Sequence, residues 1–206
     1  MGRQGELFAA TALGDGPAAP TPAPPLLRQQ LLTWQARVTG HQGPLFAGDD
    51  PGTQQGLLFG ALPSGGAAPP GDPGSLAAGL NPLSLQARSL SFWRWPSPPR
   101  QGAALYLVTD RPAEPSPPLL LYVGETARAD RRWKGDHDCK SYLAAYSEAL
   151  ARAGLAARLA IRFWYDVPGG TRERRALEQA LIRLWLPPFN KETRDRWATP
   201  FTAEPS

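Results

Sequence analysis

Ala104-Leu105-Tyr106-Leu107-Val108-Thr109 and Leu119-Leu120-Leu121-Tyr122-Val123-Gly124-Glu125-Thr126 are the two stretches on which the reading of the fold turns. Both have the aliphatic and aromatic content of buried strands. Between them Asp110 to Pro118 holds Pro112, Pro115, Pro117 and Pro118, which suits a stiff loop and no further strand. An antiparallel hairpin follows. If it is symmetric about Glu114, Tyr106 and Tyr122 are cross-strand partners, with Cβ atoms about 5 Å apart on one face.

Downstream, Lys140 to Arg152 places Tyr142, Leu143, Tyr146 and Leu150 on one helical face, and Gly154 sits where a left-handed cap belongs. Leu159, Ile161, Phe163 and Tyr165 alternate with Ala160, Arg162, Trp164 and Asp166, the pattern of a third strand. Pro168-Gly169-Gly170 turns the chain, Thr171 is placed to cap the next helix, and Pro187-Pro188 stop it. On that helix Glu178 falls between Trp185 and Ile182, at the margin of the apolar face. The fold class expected is α+β: a small three-stranded antiparallel sheet flanked by helices.

The prolines divide the chain. Of 24, 15 lie before residue 101, and lysine is absent from that part. A mixture of Ala, Gly, Pro, Gln and Leu sustains no long period, so residues 1–82 are expected to be a largely disordered tail and linker. Residues 83–200 then form the folded domain, and 201–206 a flexible C-terminus. Leu83 to Trp95 is rich in leucine and aromatic residues and is expected to pack on that domain, the alternative being a platform on which bases stack. Leu26 to Val38 has apolar residues at 27, 31, 34 and 38, the spacing of an amphipathic helix that docks or forms transiently.

The net charge of +4 is compatible with a polyanionic partner without specifying one. One cysteine, Cys139, excludes an internal disulfide, and with His41 and His137 as the two histidines no zinc spacing exists. No apolar run is long enough for a signal peptide or a membrane span, so a cytoplasmic protein without membrane contact is expected.

The tail repeats the pattern Gln-Gly-Xaa-Leu-Phe three times, led by Gln4, Gln42 and Gln55. The anchors are Leu7-Phe8, Leu45-Phe46 and Leu58-Phe59, and the spacing is too uneven for a solenoid. The pattern is similar to the peptide with which bacterial replication and repair proteins bind the sliding clamp, where a glutamine leads and a Leu-Phe pair fills an apolar pocket. The alternative is a set of weakly adhesive hydrophobic spots left by duplication.

Together, Ala104-Leu105-Tyr106, Tyr122-Val123-Gly124, Arg132-Trp133, His137, Glu178 and Asn190 resemble the GIY-YIG nuclease family, with Ala104 in place of the first glycine. The resemblance covers about 90 residues and implies a metal-dependent site that hydrolyses DNA phosphodiesters. It implies that Tyr106 orients or deprotonates the attacking water and that Tyr122 adds hydrogen bonds around it. Arg132 would grip the scissile phosphate with its planar fork, and His137 would shuttle a proton or orient water. Glu178 would hold Mg²⁺ or another divalent cation, and Asn190 would brace the site.

Each residue also has a plain structural reading. The tyrosines could be ordinary strand aromatics, His137 an exposed histidine, and Asn190 a residue after a helix stop. Glu178 could form a salt bridge with Arg174 or Arg175. Arg128, Arg131, Lys134 and Lys140 form a basic cluster suited to phosphate backbone. The function expected is a DNA endonuclease of repair or DNA metabolism, tethered through its tail. The alternatives are a non-catalytic DNA-binding module and a restriction or mobile-element nuclease of the same fold.

Overall fold

The computed structural model describes residues 28–48, 71–90, 100–112, 117–129 and 138–198. Strands β1 (Ala104–Asp110), β2 (Leu119–Thr126) and β3 (Ala160–Trp164) form an antiparallel sheet in the order β2-β1-β3. Helices α1 (Arg28–Ala47), α2 (Pro73–Ala78), α3 (Asp138–Arg152), α4 (Thr171–Trp185) and α5 (Arg194–Trp197) surround it, with a 3₁₀ turn at Pro82–Ser84. This is α+β.

Both faces of the sheet are covered, which is why every residue of β1 is buried. On one face Tyr106, Val108, Leu121, Ile161 and Phe163 pack with Leu31 and Trp34 of α1, Leu143 and Tyr146 of α3, and Phe189. On the other, Leu105, Leu107, Leu120 and Val123 pack with Leu177, Leu181 and Trp185 of α4 and Ala77 of α2. Among the described residues no helix is long and apolar enough to cross a membrane.

The hairpin register departs from the symmetric expectation. Tyr106 faces Gly124 and Val108 faces Tyr122, and the register shifts between Val108 and Thr109. Leu121 is the extra residue of a bulge, so Leu121 and Tyr122 both lie on the α1/α3 face while Leu120 and Val123 lie on the other. A bulge re-aims a side chain in this way. Without it, alternation would send Tyr122 to the face opposite Tyr106.

The expectation of a coreless segment over residues 1–82 does not hold for 28–48 or 71–82. α1 is longer than its apolar pattern and runs through Pro44, burying Leu31, Trp34, Gln35, Val38 and Gln42 as one stripe. Two prolines of the expected linker are helix starts: Asp72 caps α2 by accepting from the Ser75 N–H, with Pro73 behind it, and Asn81 caps the 3₁₀ turn ahead of Pro82. Proline at a first helical position loses no hydrogen bond, so composition overstated the disorder.

Gln42, expected to reach an outside partner, is fully enclosed. Its Nε2 donates to the carbonyls of Leu120 (3.0 Å) and Trp185 (2.9 Å), and its Oε1 accepts from the Leu120 N–H at 2.8 Å. Phe46 packs against Trp185 with ring centroids 4.7 Å apart, and Leu45 joins the same cluster. This copy of the repeat is a strut within the domain. Gln4, Leu7, Phe8, Gln55, Leu58 and Phe59 lie outside the described residues.

Arg162 ties the segment after α2 to the sheet. It is 5% exposed and donates to Thr109 Oγ1 and to the carbonyls of Leu83 and Leu85. A second buried network joins Gln35, Tyr146 and Asp110: Gln35 Nε2 donates to the Tyr146 hydroxyl (2.7 Å), which donates to Asp110 Oδ2 (2.8 Å). α3 ends in a Schellman motif, with Gly154 at φ +65° and the Leu155 N–H returning to the Leu150 carbonyl. Thr171 is the first residue of α4 rather than its cap, a place held by Gly170.

Candidate active site

The site grows from the β1–β2 pair. Tyr106 is fully buried, and its ring crosses Gly124 so closely that a Cβ there would overlap the ring and its hydroxyl. Glycine is what lets the tyrosine lie flat across the neighbouring strand. Tyr122, half-buried, stacks on Tyr106 with centroids 5.8 Å apart and planes at 29°, and their hydroxyls are hydrogen-bonded. Burial, then Tyr106, Cys139 at the start of α3, and Glu178 push the Tyr122 phenol well above its ordinary range. It is a neutral hydrogen-bond donor in this setting.

Glu178 projects from the second turn of α4 toward the same place. Burial pushes its carboxyl up to about 7, reinforced by the carboxylates of Glu125 and Glu192 and opposed by the Glu125 backbone N–H and by Arg175. The salt bridge weighed from the sequence is not formed with Arg174. That arginine, 1% exposed, is paired instead with Glu125, Nε to Oε2 at 2.9 Å, and Arg175 reaches the other oxygen at 3.6 Å. Glu178 is left as a half-buried carboxylate next to two others.

Asn190 is buried and spends its whole amide on one residue of β2. Its Nδ2 donates to the Val123 carbonyl (2.8 Å) and its Oδ1 accepts from the Val123 N–H (2.9 Å), while the Phe189 N–H reaches the Leu121 carbonyl. Val123 stands between Tyr122 and Gly124. Asn190 therefore holds the strand that carries both, and its burial keeps it from any bound molecule.

Arg128 is exposed just past β2, its N–H bonded to Thr126 Oγ1, and Lys140 is half-exposed on the first turn of α3. Arg131, Arg132, Lys134 and His137 lie outside the described residues. Sequence reasoning missed Glu125 and Arg174. The available signal was an arginine one helical turn before Glu178 on a helix whose face was already assigned.

Among the described residues no group of three or more His, Cys, Asp or Glu side chains is placed to hold a metal ion. The donor set still suits a hard cation. Glu178 offers oxygen, the neighbouring carboxylates concentrate negative charge, and among the described residues no arginine forms a salt bridge with it. Compared with protein-family models, curated proteins and solved structures, the chain matches none.

Proposed function

We propose that the chain is a metal-dependent DNA endonuclease of the GIY-YIG type, acting in DNA repair or DNA metabolism. The observation that carries the reading is the hydrogen-bonded tyrosine pair beside a half-buried glutamate with which, among the described residues, no arginine forms a salt bridge. A bulge, a ring-clearing glycine and a dedicated asparagine all serve to place that pair. A core that needed only two aromatics would require none of these.

In this reading Glu178 is the single protein donor to a largely hydrated cation such as Mg²⁺. When bound, the cation supplies positive charge for the scissile phosphate and the leaving oxygen. Tyr122, held neutral by its surroundings and donating its one proton to the Tyr106 hydroxyl, accepts a hydrogen bond from the attacking water, and Tyr106 fixes the Tyr122 hydroxyl. Arg132 grips the phosphate, and His137 orients water or carries a proton. Arg128, Arg131, Lys134 and Lys140 contact the phosphate backbone. The repeats at 4–8 and 55–59 are the copies proposed to reach a sliding clamp, since Gln42, Leu45 and Phe46 are used inside the domain.

The test is a panel of linear, nicked, flapped, branched and mismatched DNA incubated with Mg²⁺ and either the wild type or Glu178→Gln. Cleavage of at least one substrate by the wild type, lost in the variant with DNA binding retained, is expected. Equal cleavage by both removes Glu178 from the metal site. Binding without cleavage on every substrate favours the non-catalytic DNA-binding module.

A further inference from the structure

Arg174 and Glu178 stand one turn apart on the same face of α4, and both engage one residue of β2 without engaging each other. Arg174 Nε donates to the Glu125 carboxylate at 2.9 Å, while the Glu178 carboxylate accepts from the Glu125 backbone N–H. The remaining guanidinium donors reach the carbonyls of Pro168 (3.3 Å) and Gly169 (3.0 Å) and the Thr171 hydroxyl (3.3 Å). Arg174 is thus wholly enclosed and makes four hydrogen bonds, whereas Arg175 is 67% exposed and only grazes Glu125.

The alternative arrangement is close at hand. An arginine and a glutamate four residues apart on a helix ordinarily pair with each other. Here that pairing would cover the carboxylate a cation needs. Glu125 diverts Arg174 from it.

We propose that Glu125 and Arg174 are positioning residues for Glu178: their ion pair keeps Arg174 off the Glu178 carboxylate and leaves that carboxylate open to a divalent cation. The inference rests on the metal-dependent reading above and adds what controls the affinity of that site for its cation. Its distinctive consequence is a rescue. Glu125→Gln frees Arg174 to capture Glu178, so metal binding weakens, and removing Arg174 as well restores it. A role confined to stabilising the fold gives no such recovery. Replacing both members of a buried ion pair by neutral side chains is commonly tolerated.

The experiment measures the Mg²⁺ concentration that half-saturates cleavage, together with Mn²⁺ binding to the DNA-free protein by electron paramagnetic resonance. Glu125→Gln is expected to weaken both by about tenfold, with Glu125→Gln/Arg174→Met within about threefold of the wild type. DNA affinity and the rate at saturating Mg²⁺ are expected to stay unchanged. Glu125→Asp, which keeps the charge but shortens the reach, gives a smaller shift in the same direction and serves if Glu125→Gln does not fold. Wild-type metal dependence in the single variants, or a double variant no better than Glu125→Gln, overturns the proposal while leaving the nuclease reading intact. A wild type that neither cleaves DNA nor binds Mn²⁺ overturns both.

Discussion

With its carboxyl lifted from 4.5 to about 7 by burial and by Glu125 and Glu192, Glu178 prefers a proton in the metal-free fold. The folded value lies above the unfolded one. Its contribution to stability is therefore fully present below about pH 4.5 and lost as pH rises through about 7. In the proposed metal-dependent reading, a cation would compete with that proton. Thermal melts across this range are expected to show a fall in Tm with rising pH in the metal-free wild type that Glu178→Gln lacks. Mg²⁺ is expected to raise Tm at pH 8 far more than at pH 5. A pH response identical in the two proteins would remove Glu178 as its source. Gly124→Ala probes the same site from the strand side. The added Cβ overlaps the Tyr106 ring, so overpacking is expected to cost about 1–3 kcal/mol, read by urea unfolding. Cleavage by the folded fraction is expected to fall by about 100-fold or more as the ring leaves its place. Wild-type activity in Gly124→Ala would show that the Tyr106 position is not needed.

β2 is an edge strand, and side chains complete its outer side. Gln42 bonds both polar groups of Leu120 and Asn190 both of Val123, one on each side of the bulge at Leu121. This blunts an edge that could otherwise pair with another chain. It also pins the bulge that turns Tyr122 toward Tyr106. Gln42→Ala and Asn190→Ala each strand buried backbone groups, and each is expected to cost about 2–4 kcal/mol by chemical denaturation. Their effects on cleavage are expected to differ. Measured where both variants are folded, Asn190→Ala loses activity because Val123 adjoins Tyr122 and Gly124, and Gln42→Ala, farther along the strand, retains most of it. Equal activity would mean that the bulge holds its shape without Asn190.

At the scale of the molecule, α1 belongs to the domain. Leu31, Trp34 and Val38 are buried against the sheet and α3, Arg28 donates to the carbonyls of Ala153 and Gly154, and His41 bonds the Leu184 carbonyl. Burying three such apolar side chains contributes about 5–9 kcal/mol, comparable with the whole stability of a domain, about 5–15 kcal/mol. A chain starting at residue 28 is expected to fold and melt cooperatively, while one starting at residue 49 is expected to lose cooperative melting. Equal melting would place α1 outside the folded unit. The repeats divide accordingly. In the full-length chain, Leu45→Ala/Phe46→Ala is expected to lower Tm. Leu7→Ala/Phe8→Ala combined with Leu58→Ala/Phe59→Ala is expected to leave Tm unchanged and to weaken titration against a purified bacterial clamp. Negligible clamp binding by the unmutated chain would retire that partner.

The strands, the helix that carries Glu178 and the antiparallel hairpin were legible in the sequence because each rests on local periodicity: alternating side chains for β3, a 3.6-residue stripe for α4, prolines between β1 and β2. What tertiary structure decided are the features that local pattern cannot express. The bulge at Leu121 inserts one residue without any change of composition, yet it determines which face Tyr122 joins. α1 outruns its apolar stripe because the next buried position is Gln42, a polar residue whose burial is tolerated only through partners 78 and 143 residues away. Arg174 reads as a natural partner for Glu178 in one dimension. Only in the folded chain does Glu125, brought up by β2, offer it a carboxylate, because ion pairing follows distance in space and the helix alone supplies just the neighbours one turn away.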